Sequence, residues 1–180
     1  MLAQLGIAFG VDPAHVDESV LPGESPRTYV LRLAQEKAGA VAARHPGHVV
    51  LGADTTVALD GEILGKPADV AEARVMLGRL VGRTHVVHTA VATAGRHVAA
   101  QTVQTAVRFA DVSPQALDWY AACGEPLDKA GAYALQGVGG FLVASISGSH
   151  SAVIGLPLVE TLSLLQAAGL ALPWEGKPVG

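Results

Sequence analysis

Three short glycine-bounded segments carry the residues of this sequence that are best suited to phosphate chemistry. They are Gly-Ala-Asp-Thr at 52–55, Gly-Lys-Pro at 65–67, and Asp-Lys-Ala-Gly-Ala-Tyr-Ala-Leu-Gln-Gly at 128–137. Their side chains include a carboxylate, Asp54, and an ammonium group, Lys66. Carboxylates hold divalent cations and accept protons from water, while ammonium groups neutralise phosphate oxygens. The segments therefore indicate metal-assisted attack on a phosphoanhydride.

Asp54 interrupts what is otherwise a buried strand. Apolar runs at 49–51 and 55–59 flank it, and Asp-Gly at 60–61 predicts a hairpin turn into residues 63–64. A carboxylate in such a run is costly unless it is paired, hydrogen-bonded or bound to a metal. From the residues alone, Asp54 is either a solvated carboxylate at the end of a strand or a metal ligand and base.

A helix that begins at Ser25-Pro26 is predicted to carry Lys37. The serine can cap the helix, the proline suits its first position, and an apolar stripe follows until about Arg44. Lys37 falls on that stripe, so its side chain either snorkels to the flank of the helix or points into a cleft. The pattern leaves both orientations open.

Helical and extended patterns alternate along the rest of the chain. Helices are predicted to begin at Asp69 and Ser113 and to cover 158–168, and strands to cover 84–93, 101–109 and 141–146. Gln136 is predicted to lie at the end of a strand. The alternation predicts an α/β fold.

The length of the chain is that of a single domain. The chain has 180 residues, long enough to bury roughly 70% of the surface that its unfolded form would expose. Residues 1–170 are predicted to form the domain and 171–180 a loose tail. The net charge of −4 does not suit a duplex nucleic-acid binder, which needs a clustered basic face. An anionic substrate must therefore be held by a few local lysines and arginines.

Three features bear on the cellular compartment. The single cysteine, Cys123, cannot form an internal disulfide. No apolar span reaches the ~18 residues that a membrane helix requires. The first residues lack the basic region and apolar run of a secretory signal. We expect a cytoplasmic protein with no membrane partner.

Three further candidates are weak when judged by their surroundings alone. Glu18 lies in a polar stretch that is typical of a surface loop. Lys66 lies between Gly65 and Pro67 in a pinned loop that suits a phosphate clamp, yet this tripeptide is common. Gln136 has both a donor and an acceptor, so it can either read the edge of a base or cap a turn.

The order of these segments, and most of the sequence between them, resembles the Maf family of nucleoside triphosphate pyrophosphatases. The resemblance runs from the first residues to about Ala168. It implies an α/β fold with an elongated mixed sheet flanked by helices, two lobes around a cleft, and a homodimer. The family's N-terminal strand and the Ser-x-x-Arg loop after it, which meets the triphosphate, have no counterpart here. The resemblance therefore predicts an N-terminally truncated domain.

The resemblance also implies roles for individual residues. Asp54 matches the family's presumed catalytic base and is implied as a metal ligand. Glu18 matches a functional acidic residue and is implied as a second metal contact. Lys37 and Lys66 match lysines that contact phosphate.

Thr55 and Gln136 match positions tied to specificity, in the branch that prefers thymidine and uridine triphosphates. The predicted reaction converts dTTP or UTP to the monophosphate and pyrophosphate. Mg²⁺ or Mn²⁺ is the expected cation, since the candidate ligands are hard oxygens and the histidines show no ligand spacing. One alternative is a catalytically weak nucleotide-binding regulatory protein, if the missing loop removes phosphate donors. An inosine triphosphate pyrophosphatase fits the chemistry but not the local motifs.

Overall fold

A computed structural model of the chain describes residues 1–175. Its centre is a sheet with the strand order β2-β1-β3-β4-β5, and each of these neighbouring pairs is antiparallel. The strands are β1 (Val49–Leu59), β2 (Glu62–Leu64), β3 (Thr84–Gly95), β4 (Ala99–Phe109) and β5 (Val143–Ser147). The predicted α/β class, with helices flanking a sheet, is confirmed. Where the resemblance implies a mixed sheet, the described strands pair only in antiparallel fashion.

The helices of this part of the chain are α1 (Pro26–Ala42), α2 (Val70–Leu80), α3 (Pro114–Ala122), α4 (His150–Ile154) and α5 (Leu158–Ala167). The first three begin where the sequence predicts. The side chains of Ser25, Asp69 and Ser113 each accept a hydrogen bond from the backbone N–H three residues further on. Helix α4 is not predicted, because five residues are too few to display a helical period.

Two apolar clusters cover the two faces of the sheet. The larger cluster packs α2 and α3 against residues such as Val57, Leu59 and Phe109. The smaller one lies between α1 and the other face and consists largely of small side chains, namely Val30, Ala34, Ala38, Ala90 and Ala92. These small side chains let α1 lie close to the sheet. None of the helices within residues 1–175 is long and apolar enough to cross a membrane.

Strand β1 runs without a break through Asp54. Residues 49–58 all pair with β3, so the carboxylate does not end the strand. Successive side chains of a strand point to opposite faces of the sheet. Asp54 therefore shares a face with Gly52, which lies against α1, and Thr55 points to the other face.

Gly52 lets α1 lie directly on β1. A Cβ atom at this position would be 2.5 Å from the carbonyl oxygen of Ala34 and 2.8 Å from the backbone nitrogen of Ala38. Neither backbone atom can move unless the helix moves with it. The glycine thus sets the distance between the strand that carries Asp54 and the helix that carries Lys37.

Gly52→Ala is therefore expected to destabilise the protein. Overpacking of this kind typically costs about 1–3 kcal/mol of the free energy of unfolding. Gly39→Ala is the matched control on α1, since a Cβ at Gly39 meets no atom within 4 Å and alanine favours a helix by about 1 kcal/mol. Thermal melts compare the two variants. A Gly52→Ala melting temperature equal to or above that of Gly39→Ala would contradict the close approach of α1.

The segment before β5 consists of turns rather than a strand. Short 3₁₀ turns cover residues 125–128, 130–132 and 138–142. Gln136 lies exposed in the connection between the last two, so its predicted place at the end of a strand is wrong. The physical reason lies in the backbone: Gly131 has a φ of 69°, which extended chains do not adopt.

The C-terminal residues that the structure describes are packed against the domain. Leu172 is buried in a cluster with Leu165, and the Glu175 carboxylate accepts a hydrogen bond from the Leu172 N–H. The loose tail predicted from residue 171 is therefore wrong as far as Glu175. The remainder of that prediction, residues 176–180, lies outside the described residues.

One edge of β1 has a strand partner over only a short stretch within residues 1–175. Strand β2 pairs with it over 57–59, so residues 49–56 are paired on the β3 side alone. Several of them line an open cavity of about 710 Å³ whose walls are mostly apolar. Asp54, Lys37 and Lys66 do not belong to that lining, so this cavity is separate from the phosphate-chemistry candidates.

Candidate active site

The ammonium group of Lys37 bridges two carboxylates. Its Nζ atom lies 2.7 Å from Asp54 Oδ1 and 2.7 Å from Glu18 Oε1. Lys66 completes the group, with its Nζ 4.0 Å from Glu18 Oε2. Four candidates that are far apart in the sequence thus form one cluster, in which two positive charges face two negative ones.

Asp54 is the most buried member of this charge cluster, with a side chain that is 10% exposed. Burial raises its pKa above the ordinary aspartate value, and the hydrogen bond and charge of Lys37 oppose this rise without cancelling it. A carboxylate with a raised pKa is a stronger proton acceptor. Its Oδ2 atom makes no hydrogen bond to the rest of residues 1–175, so it can receive a water molecule or a cation.

Lys37 keeps its positive charge in this setting. Burial lowers its pKa, but the hydrogen bonds and charges of Asp54 and Glu18 outweigh that effect and leave the pKa raised. Of the two orientations that the sequence leaves open, the side chain takes the one that points into the cluster. An ammonium group at this position is available to neutralise phosphate charge.

Glu18 lies in a loop that α1 holds in place. The Tyr29 hydroxyl donates a hydrogen bond to the Glu18 carbonyl oxygen. Arg32 donates to the next carbonyl along the loop and to the Glu24 carboxylate. The hydrogen bond from Lys37 lowers the pKa of Glu18 more than burial raises it. Glu18 is therefore an anchored anion rather than an unattached surface residue.

Sequence reasoning missed the two anchoring residues, Tyr29 and Arg32. Tyr29 lies eight residues before Lys37 and so on the same face of α1, which is a signal that the helical period could have supplied. Burial raises the pKa of its hydroxyl, and the negative charge of Asp54 adds to that rise. The hydroxyl therefore stays protonated and donates. Arg32 has no comparable signal in the sequence.

Thr55 faces a second pocket, on the side of β1 opposite Asp54. This pocket has a volume of about 200 Å³. Its walls combine apolar side chains with a few polar ones, including Thr55, Lys66, Val87, Asp128, Lys129 and Tyr133. Lys66 contributes both to this pocket and to the charge cluster. It thus links the two places where a ligand could bind.

The hydroxyl of Thr55 is oriented by its neighbour. Its Oγ1 lies 3.0 Å from Thr89 Oγ1, and Thr89 donates its own proton to the carbonyl oxygen of Ala152. Thr55 must then be the donor in the bond between the two hydroxyls, since a hydroxyl has one proton. The remaining capacity of Thr55 is that of an acceptor, so it suits a ligand group that donates.

Gln136 forms no hydrogen bond with the charge cluster and does not line the pocket around Thr55. Its side chain is exposed. Lys129, which belongs to the segment 128–137, pairs with Asp128 at 2.7 Å and lies in the pocket wall. The structure therefore brings Asp54, Glu18, Lys37 and Lys66 together and places Thr55 in the pocket that shares Lys66. The role of Gln136 remains a prediction.

The oxygen atoms of the charge cluster fit a small, hard cation. Asp54 and Glu18 supply two carboxylates, and no group of three or more His, Cys, Asp or Glu side chains within residues 1–175 could hold a metal ion. Mg²⁺ is usually bound by one or two carboxylates, with water and substrate phosphates completing its shell. The donor set thus suits Mg²⁺ or Mn²⁺ arriving with a phosphate ligand, and not a four-ligand structural zinc.

Comparison with known proteins gives a consistent assignment. The family described as Maf-like protein matches residues 1–168. A dTTP/UTP pyrophosphatase of Myxococcus xanthus is 60% identical over 175 residues, which cover 97% of this chain and 89% of the relative. A protein of the same name from an Anaeromyxobacter species is 55% identical, and the match covers 97% of this chain and 86% of the relative. Another from Symbiobacterium thermophilum is 51% identical, and the match covers 94% of this chain and 88% of the relative.

Proposed function

The chain belongs to the Maf-like protein family, and on that premise we propose that it hydrolyses dTTP and UTP to the monophosphate and pyrophosphate. Relatives that are up to 60% identical over almost the whole chain carry the name dTTP/UTP pyrophosphatase. The observation that carries the proposal is the bridge from Lys37 to the Asp54 and Glu18 carboxylates, with Lys66 beside it. Such a cluster supplies a base and phosphate-binding cations in one place.

Asp54 takes the proton from the attacking water. Its Oδ1 is held by Lys37, which leaves Oδ2 to accept that proton as the water oxygen bonds to the α-phosphorus. The bond between the α-phosphorus and the bridging oxygen then breaks, and pyrophosphate leaves. The raised pKa of Asp54 suits this role.

Lys37 and Lys66 counter the charge that builds up on the phosphate oxygens. Lys37 is fixed by two hydrogen bonds, so little reorganisation is needed when the charge develops. Lys66 is 61% exposed and can follow the substrate. Asp54 and Glu18 would hold Mg²⁺ or Mn²⁺, which, when bound, supplies further positive charge to the phosphate oxygens.

The pocket around Thr55 would receive the base. Thymine and uracil present an N–H donor between two carbonyl groups, and the Thr55 hydroxyl has only acceptor capacity left. Gln136 would add a donor and an acceptor from the neighbouring turn. Lys66 would guide the phosphates from the pocket to Asp54.

Identification of the products tests the proposal. With UTP, Mg²⁺ and ¹⁸O-labelled water, we expect UMP and pyrophosphate in equal amounts, with the label in UMP because water attacks the α-phosphorus. UDP and orthophosphate as first products would contradict the mechanism. Binding of UTP without turnover would favour the regulatory nucleotide-binding alternative. A preference for inosine triphosphate would favour the other pyrophosphatase class.

The same proposal includes a cytoplasmic homodimer that does not bind nucleic acid. The compartment follows from the substrates, which are nucleotides of the intracellular pool, and the net charge of −4 does not favour nucleic acid. The dimer follows from the resemblance to the family. Light scattering coupled to size-exclusion chromatography distinguishes a mass of twice 18.3 kDa from a single chain.

A further inference from the structure

The glycine-rich sequence at 137–140 surrounds a carboxylate of the chain itself. The N–H of Val138 donates to Glu125 Oε2 at 2.8 Å, and the N–H of Gly139 donates to Glu125 Oε1 at 2.8 Å. Phosphate-binding loops present consecutive backbone N–H groups to an anion in the same manner. In this loop the position of the anion is taken by Glu125.

The glycines are needed because the turn closes tightly on this carboxylate. A Cβ atom at Gly137 would clash with the Glu125 carboxylate, and one at Gly139 would clash with the Tyr120 hydroxyl. The loop therefore has no room for a second anion beside Glu125. Its glycines serve the internal contact rather than a nucleotide phosphate.

Glu125 and Tyr120 together fix both ends of one short segment. The buried Tyr120 hydroxyl donates to Glu125 Oε1 at 2.7 Å and accepts a hydrogen bond from the Ala134 N–H at 3.2 Å. Ala134 precedes the exposed turn with Gln136, and the two N–H groups bound by Glu125 follow it. The turn is thus held on either side, while its amide side chain projects to the outside.

The carboxylate keeps its charge in this position. Burial raises the pKa of Glu125, but hydrogen bonds from the N–H groups of Gly139 and Val138 and from the Tyr120 hydroxyl lower it by a larger amount. The pKa therefore lies below the usual glutamate value. Near neutral pH the three donors face an anion, and bonds of this kind are stronger than neutral ones.

We propose that Glu125 is a positioning residue for base selection, which acts by holding the turn that presents Gln136. This inference rests on the proposed function, since it assigns Gln136 to the recognition of the pyrimidine. The segment held by Glu125 continues the chain that forms the pocket wall at Asp128, Lys129 and Tyr133. Its fixed geometry lets an exposed amide distinguish one base from another.

Glu125→Gln tests the proposal, because it keeps the shape and removes the charge. The preference for UTP over GTP, measured as the ratio of kcat/KM values, should fall roughly tenfold, about the effect of one net hydrogen bond. KM for UTP should rise more than kcat falls. Glu62→Gln is the matched control, since Glu62 is an exposed carboxylate that pairs with Arg79 and not with the turn. The nucleotide ratio of this variant should stay unchanged.

A double-mutant cycle with Gln136→Ala separates positioning from general damage. If Glu125 acts through Gln136, then Glu125→Gln should have little further effect on the nucleotide ratio in the Gln136→Ala background. Additive effects on the ratio, or an equal loss for all nucleotides, would overturn the proposal. Should Glu125→Gln fail to fold, Tyr120→Phe keeps the aromatic ring, removes the shared hydroxyl, and must shift the ratio in the same direction.

Amide hydrogen exchange tests the contact itself without any catalytic readout. Exchange at Val138 and Gly139 should accelerate at least tenfold in Glu125→Gln relative to the parent. If the parent hydrolyses no pyrimidine triphosphate, the proposed function fails while this contact can still be verified. If the parent is active and exchange is unchanged, it is the positioning role that fails.

Discussion

Asp54→Asn is expected to lower the rate of UTP hydrolysis by roughly 10²-fold or more while the protein stays folded. Asparagine has the same shape as aspartate but cannot accept the proton of the attacking water. The fold should survive because Lys37 keeps its second partner, Glu18, at 2.7 Å. The exchange also removes a buried negative charge, whose desolvation is costly.

Asp60→Asn provides the matched control for this variant. Asp60 follows β1 directly, and its carboxylate is 74% exposed and paired with Arg83 at 2.7 Å. Asparagine also tolerates its positive φ of 53°. Asp60→Asn should hydrolyse UTP at the parent rate. Near-parent turnover by Asp54→Asn would exclude Asp54 as the base.

Local chemistry determined much of the fold, and this part could be predicted. Ser25, Asp69 and Ser113 have side-chain acceptors that suit helix starts, and each one caps a helix. Asp60 and Gly61 form the predicted hairpin turn between β1 and β2. These features depend on a few neighbouring residues, so a sequence pattern can reveal them.

Contacts between distant segments could not be predicted from local patterns. The sequence left open whether Lys37 lies on the flank of its helix or points into a cleft, and the packing of α1 on Gly52 brings it to Asp54. Glu18 resembled a surface residue, because its anchors on α1 are eleven or more residues away in the sequence. The resemblance to a family supplied what the residues alone left open.

The turn around Gln136 shows why extended structure was wrongly predicted there. A pattern of apolar residues from 132 to 135 resembles a strand, but positive φ values at Gly131 and Ala132 bend the chain. The Glu125 carboxylate, which organises the next turn, lies more than ten residues earlier. A partly buried anion that accepts hydrogen bonds from backbone N–H groups leaves no periodic signal in the sequence.

Lys37→Met is expected to lower kcat/KM by about 10²–10³-fold, the usual effect of removing one fixed donor from a developing charge. It should also shift the pH dependence. Asp54 must be ionised to act as a base, so activity is present above its pKa and is lost as the pH falls through it. Lys37 holds that pKa down against burial, so its removal should move the acid limb of kcat/KM to higher pH.

The acid limb in Lys66→Met serves as the control for this shift. Lys66 is exposed, and its charge lowers the pKa of Asp54 less than Lys37 does, so its loss should reduce the rate with little change in the midpoint of the acid limb. Both variants are measured with the same substrate and saturating Mg²⁺, so ionisation of the triphosphate is common to them.

Stability gives a second readout for Lys37→Met. Its free energy of unfolding should fall by about 1.5–3 kcal/mol, the range for hydrogen bonds to charged groups. Adding Asp54→Asn to the same chain should restore part of that loss, because it removes the unpaired charge. An acid limb that stays at the parent position in Lys37→Met would mean that the limb does not report Asp54, and the assignment of the base would have to move to another residue.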